Sequence, residues 1–210
     1  MSAAEQSAPT PSRRARRREE TRSRLIAAAR ALIAEKGVAA LRIQELAERA
    51  DVGLGSFYNH FENKDELVEQ VITESLQQVS EALLAGIEDA DAADLVTQSS
   101  HRIVRLAYDE PEFARLLVHL NNGDTLFATA IRPYAKRVVD AGLASGRFPV
   151  LDEEVALTVI IGGAFAVMRA AVDGEHPRGA EVAYAELVLR LLGVPPEEAR
   201  ELSTRAAAAA

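Results

Sequence analysis

The chain has 210 residues, 48% hydrophobic and 27% charged, with a formal net charge of −8. That length and mixture describe a globular chain with ample core material, as one large domain or a small head on a larger body. There is no cysteine, which excludes disulfides, thiolate metal sites and cysteine nucleophiles. It also fits a reducing cytoplasm, the expected location, since the N-terminus MSAAEQSAPTPSRRARRR has no apolar run of a signal peptide.

Residues 1–18 are rich in Ser, Ala and Pro and then carry Arg13, Arg14, Arg16, Arg17 and Arg18, which predicts a disordered basic arm. Such an arm is either a solubilising tail or a transient partner of phosphate. Leu25, Ile26, Ala29, Leu32 and Ile33 form a helical stripe that Gly37 stops. Ile43, Leu46, Ala47 and Ala50 share one face of a short second helix, broken at Asp51-Val52-Gly53. A third short segment runs from Leu54 to about His60. Asn63, with Glu66 three residues on, resembles a capping box opening a fourth helix that continues to about Gly86. The acidic run 88–94 lacks the glycine and final glutamate of a calcium loop and reads as a solvated linker.

A fifth helix, about 92–108, turns Leu95, Ser99, Ile103 and Leu106 inward. Pro111 starts a sixth, with Phe113, Leu116, Leu117 and Leu120 as its core face, ended by Asn121-Asn122-Gly123. The seventh, about 124–145, contains Pro133, which predicts a kink. Asp152 caps an eighth, ended by Gly174 and Pro177. A ninth runs from about 179 to 192, and a charged, alanine-rich tail follows. The fold class is therefore all-α with about nine helices. The divisions are an arm (1–18), a helix-turn-helix head (19–66), a body (67–196) and a tail (197–210). Val155–Met168 is uncharged for 14 residues, short of the roughly 20 that span a bilayer. It reads as a buried or dimer-forming helix, with no membrane partner.

Two short helices joined by a tight turn and followed by a capped helix make a helix-turn-helix, here over residues 43–61. Small Ala47 permits close packing. Gly53 and Gly55 leave the start of the recognition helix bare for an approaching duplex, while Phe57 and Phe61 anchor it from below. Tyr58 and His60 then point outward toward phosphate oxygens. Lys64 stands in the first turn of the fourth helix, where the dipole prefers an anion, and a bound phosphate would satisfy both. Charge supports this orientation. Residues 1–64 hold 12 Lys/Arg against 8 Asp/Glu, and residues 65–210 hold 12 against 24, a basic head on an acidic body.

The span LRIQELAERADVGLGSFYNHFENKDEL resembles the TetR family of regulators, a likeness that covers about residues 20–70. The phrase AGLASGRFP (141–149) also stands at a familiar place. The resemblance implies a homodimer that binds a roughly palindromic operator and releases it when a small molecule fills the body, with repression as the family expectation. It places Arg42, Gln44, Leu54, Ser56, Phe57, Tyr58, His60 and Lys64 at DNA-facing positions. This chain departs from the pattern at Arg42, where a capping threonine is common, at Asp51, where glycine is common, and at Gly53 and Leu54, where small polar or basic residues are common. Gln44 and Ser56 are left as base readers, so apolar contact and DNA shape are expected to contribute.

In the body, His101, Arg105 and Tyr108 share a face at i, i+4 and i+7, which is either a pocket lining or a solvated, salt-bridged surface. Phe127, Ile131, Tyr134, Phe165 and Met168 are candidate pocket walls or ordinary core. Gly162-Gly163 in mid-helix costs about 1 kcal/mol per glycine. Close helix approach at a dimer seam, with Ala166 and with Val182, Leu187 and Leu191 of the next helix, would offset it. No metal-ligand spacing, phosphate loop or nucleophile motif is present, so neither an enzyme nor a metal or cofactor site is expected, only a small-molecule effector. The rival reading is a helical interaction module whose helix-turn-helix no longer binds DNA.

Overall fold

Every regular element among the described residues is helical, as the apolar spacing predicts. The computed structural model describes residues 12–84, 91–120, 122–149 and 152–209. It contains ten α-helices there: α1 Arg13–Lys36, α2 Ile43–Arg49, α3 Leu54–Tyr58, α4 Lys64–Leu84, α5 Ala92–Asp109, α6 Pro111–His119, α7 Gly123–Ala144, α8 Glu153–Val172, α9 Ala180–Leu191 and α10 Pro196–Ala209. The chain divides into two compact units, Met1–Val71 and Ile72–Ala210, with α4 running across the boundary.

In the first unit, α1 buries Leu25, Ile26, Ala29 and Leu32, joined by Leu46 and Ala47 of α2, Phe57 of α3, Phe61, and Leu67 and Val68 of α4. Gly37 (φ 74°) ends α1, and its amide donates to the Ile33 carbonyl at 2.8 Å. The expected disordered arm is corrected at its basic end. Arg13–Arg18 form the opening turns of α1, where the Ser12 hydroxyl accepts the Ala15 amide at 3.2 Å. Arginine is a good helix former, and a serine cap satisfies one orphan amide. Residues 1–11 lie outside the described residues.

The Asn63 cap forms as expected, its side-chain oxygen accepting the Glu66 amide at 2.9 Å. Glu66 reaches back to the Glu62 amide at 2.6 Å rather than to that of Asn63. Lys64 is therefore less anomalous than its position suggested, because Asp65 and Glu66 already supply the anions of that turn. The expected helix end near Gly86 lies outside the described residues, as do residues 88–90 of the acidic run and Asn121. Asp91, the next acidic residue, caps α5 by accepting the Ala93 amide at 2.9 Å.

The second unit is built around α5, which packs against α6, α7, α8, α9 and α10. The expected stripe of Leu95, Ser99, Ile103 and Leu106 is buried, but so are Thr97, His101 and Val104 on other sides of the helix. A helix enclosed by five others has little surface left for solvent. The buried face of α6 is centred on Ala114, Leu117 and Val118, whereas Phe113, Leu116 and Leu120 are only half-buried. Rotation of the short helix by one residue accounts for the difference. α7 runs unbroken through Pro133. Its Gly142 lies where a Cβ would fall 1.9 Å from the Phe148 ring, so close packing there demands glycine. Asp152 caps α8 through the Val155 amide at 3.0 Å, as expected.

The C-terminal tail is corrected to a helix. α10 packs on α9 and α5 and buries Ala199, Leu202 and Ser203. Its Arg205 pairs with Asp94 at 2.7 Å, and its Glu198 is held by Arg147. Pro196 in the first turn, Glu197 and Glu198 beside the positive helix end, and the alanine run are its local signals.

Candidate DNA-reading head and ligand-binding body

The head presents what a duplex-reading element needs. α2 and α3 pack through Leu46, Ala47 and Phe57, leaving Arg42, Gln44, Gly53, Leu54, Gly55 and Tyr58 exposed and Ser56 half-exposed. Leu54 is 44% and Tyr58 58% exposed, two large side chains left uncovered on one short helix. A Cβ built on Gly53 or Gly55 would meet nothing within 4 Å, and neither has a positive φ. Nothing inside the chain requires glycine at these positions, and their lack of side chains leaves the start of α3 open to what approaches from outside. Arg42 flanks α2 without a side-chain cap bond, as its residue type predicts.

One DNA-facing assignment is corrected. Phe57 is fully buried, its ring edge-on to Tyr58 at 5.1 Å and 5.8 Å from Phe61. It is the anchor of the recognition helix and not a contact. His60 is half-buried, with Nδ1 enclosed and unpartnered. Burial, then Arg18 and Arg22, lower its pKa and keep it neutral, so it adds no cation to the surface. Lys64 is half-buried with its ammonium 3.4 Å from the Val38 carbonyl, a brace within the head. Tyr58→Phe therefore isolates one outward hydroxyl. It should weaken binding to all duplexes alike by about 1 kcal/mol, roughly fivefold; an unchanged mobility-shift titration would remove Tyr58 from the interface.

Sequence reasoning missed two features of this head. Arg18 donates to the Asn59 carbonyl at 3.4 Å, fixing the basic start of α1 beside the end of α3. The two line a cleft of about 710 Å³ with Arg14, Arg17 and His60. Asp51 has a φ of 51° and is held by Arg24, which donates to its carbonyl at 2.8 Å and its carboxylate at 2.9 Å. Aspartate is among the few side chains that tolerate this conformation, the available local signal.

In the body the eight candidate pocket residues separate. Ile131 and Tyr134 line a small space of about 40 Å³ between α5, α7, α8 and α9, room for about one water. Tyr134 donates to the Leu95 carbonyl at 3.3 Å. Phe127 packs on Phe165 at 5.6 Å and is core, as is Met168. Phe165 also lies beneath Arg169. Tyr108 donates to the Pro177 carbonyl at 2.8 Å and so splints the segment before α9. His101 and Arg105 line a separate groove of about 700 Å³ with α10 residues.

The seam residues also divide. Gly162 and Ala166 are exposed on α8, and Leu187 and Leu191 on α9, with Val182 half-buried. A Cβ on Gly162 would meet nothing, but one on Gly163 would lie 3.3 Å from the Tyr184 ring. Gly163 therefore serves packing between α8 and α9 of one chain, a correction to its place in the seam. α8 is long and apolar enough to cross a membrane by composition, yet it packs against α5, α6, α7 and α9. Among the described residues no cluster of three or more His, Cys, Asp or Glu is placed to hold a metal ion.

A helix-turn-helix with an exposed, glycine-flanked recognition helix on a separate helical body defines a DNA-binding transcriptional regulator. The signature of the bacterial regulatory proteins of the tetR family matches residues 25–71, and that of the tetracyclin repressor-like C-terminal domain matches residues 91–205. The chain belongs to the TetR family. It is 38% identical over 76 residues to the HTH-type transcriptional regulator TtgR of Pseudomonas putida, a match spanning 36% of either chain. To the HTH-type transcriptional repressor KstR2 of Rhodococcus jostii it is 27% identical over 163 residues, 70% of this chain and 78% of that one. The crystal structure of RolR with the ligand resorcinol superposes with a TM-score of 0.79 at 30% identity, covering 91% of this chain and 96% of RolR.

Proposed function

We propose that this protein is a homodimeric, ligand-responsive repressor that works in the cytoplasm, binds a roughly palindromic operator and leaves it when a small molecule occupies the body. The distribution of exposed large apolar side chains carries the reading. Among the described residues these are Leu54 and Tyr58 on α3, Val155 and Val159 on α8, and Leu187 and Leu191 on α9. Clustered exposed apolar groups mark contact surfaces, and these fall on one surface for DNA and one for a second copy. The presence of resorcinol in RolR supports a small organic effector. A helical interaction module would have no use for a bare, exposed recognition helix in a basic head. Selection of bound duplexes from a random pool, repeated with a metabolite panel, tests the function. Failure to enrich any sequence would overturn it.

The ordered arginines of α1 extend the proposed DNA surface. The first turn of α1 has no acidic residue to balance its dipole, and a phosphate backbone alongside would supply that charge. Each phosphate contact adds about 0.9 to the slope of log K against log salt. Replacing Arg14 and Arg17 by glutamine in both subunits should therefore flatten the slope by about 3 to 4 and leave the preferred sequence unchanged. An unchanged slope in fluorescence anisotropy would show that α1 stays off the duplex.

A further inference from the structure

The groove between α5 and α10 contains a group that the fold leaves without partners. His101 is only 4% exposed, and neither ring nitrogen has a hydrogen-bond partner. Burial is the main cause of its lowered pKa, with Glu181 opposing and Arg105 assisting. The ring is therefore neutral, with one N–H donor and one acceptor. A buried polar group without a partner is costly and calls for a ligand, ion or water. The nearby Glu181 carboxylate is engaged by the Gly179 amide at 2.8 Å.

His101 lies along a groove of about 700 Å³, within the usual size of small-molecule sites. At its two ends the charges are already matched, Arg205 with Asp94 at 2.7 Å and Arg105 with Asp109 at 3.0 Å. Arg102, next to His101, is exposed and has no ion-pair partner among the described residues. Glu110, the other acidic residue of the lining, stands eight residues further along, about 12 Å at helical rise. Leu106, Leu202 and Ala206 supply apolar wall. The groove shares no lining residue with the small space around Tyr134.

We propose that this groove binds a small organic carboxylate, its charged end held by Arg102 and the His101 N–H and its apolar body against Leu106, Leu202 and Ala206. A carboxylate accepts from both donors at once, and a charged acceptor strengthens both bonds. The proposal rests on the ligand-responsive reading of the body, but its test does not require DNA. Full-length protein with ¹⁵N-labelled histidine is titrated at millimolar concentration with benzoate and octanoate and with their uncharged amides. At least one acid should move the His101 ring resonances saturably, the amides should not, and the exposed change Arg102→Gln should weaken binding by about tenfold. Resonances unmoved by either acid would leave water as the imidazole's partner and overturn the proposal. So would equal shifts from the amides, or unchanged affinity in Arg102→Gln. A molecule that releases DNA without moving His101 would overturn this groove as the effector site and leave ligand control standing.

Discussion

Leu187→Asp is expected to leave each subunit folded, convert the proposed dimer to a monomer and lower operator affinity by about 10²–10⁴-fold. Leu187 is 61% exposed in the single chain, so the change removes little internal packing. On α8, Val155, Val159, Gly162 and Ala166 follow i, i+4, i+7 and i+11 and present one apolar face, and α9 packs beside it. An aspartate in the centre of such a seam is a buried charge without a partner. With only one head per particle, the second half-site is no longer bound intramolecularly. Light scattering reads the mass and anisotropy the affinity; a mass still twice that of the chain would place the seam elsewhere. Gly162→Leu is the matching steric change, whereas a side chain at Gly163 would press on Tyr184 within the same subunit.

Phe57→Ala is expected to destabilise the head by about 3–5 kcal/mol, the cost of a large cavity in a small core. Phe57 is fully buried where α3 meets α2 and touches both Tyr58 and Phe61. A unit of this size has only a few kcal/mol to lose, so DNA binding should vanish through unfolding and not through a lost contact. The body is a separate compact unit and should keep its own transition. Hydrogen exchange localised to α1–α3 checks this, and wild-type protection there would contradict the anchoring role. The contrast with Tyr58→Phe, one residue on, separates a residue that holds the reading helix from one that reads.

Much of the head was legible because its signals are local. Gly37 ends α1, Asn63 with Glu66 opens α4, and the 3.6-residue spacing marks the buried faces of α1 and α2. These depend on residues within a turn or two of one another. The arm was misread for the opposite reason: low hydrophobicity and dense charge suggest disorder, yet Ser12 caps a helix whose Arg18 finds the Asn59 carbonyl 41 residues away. The tail carried adequate local signals in Pro196, Glu197 and Glu198, but whether such a helix persists depends on α9 and α5, which bury Leu202.

The amino-acid sequence by itself determined the helical class, the reading head, the caps that open α4 and α8, and the separation of a basic head from an acidic body. Each follows from short-range periodicity, side-chain to backbone hydrogen bonds or charge composition. Only the tertiary structure decided that Phe57 points inward, that Gly163 meets Tyr184, and that His101 is buried in the wall of a groove instead of lying on a solvated face. An apolar stripe defines one buried side of a helix. How many other sides are covered depends on helices that arrive from far along the chain, and α5, packed against five neighbours, is where that distinction matters most.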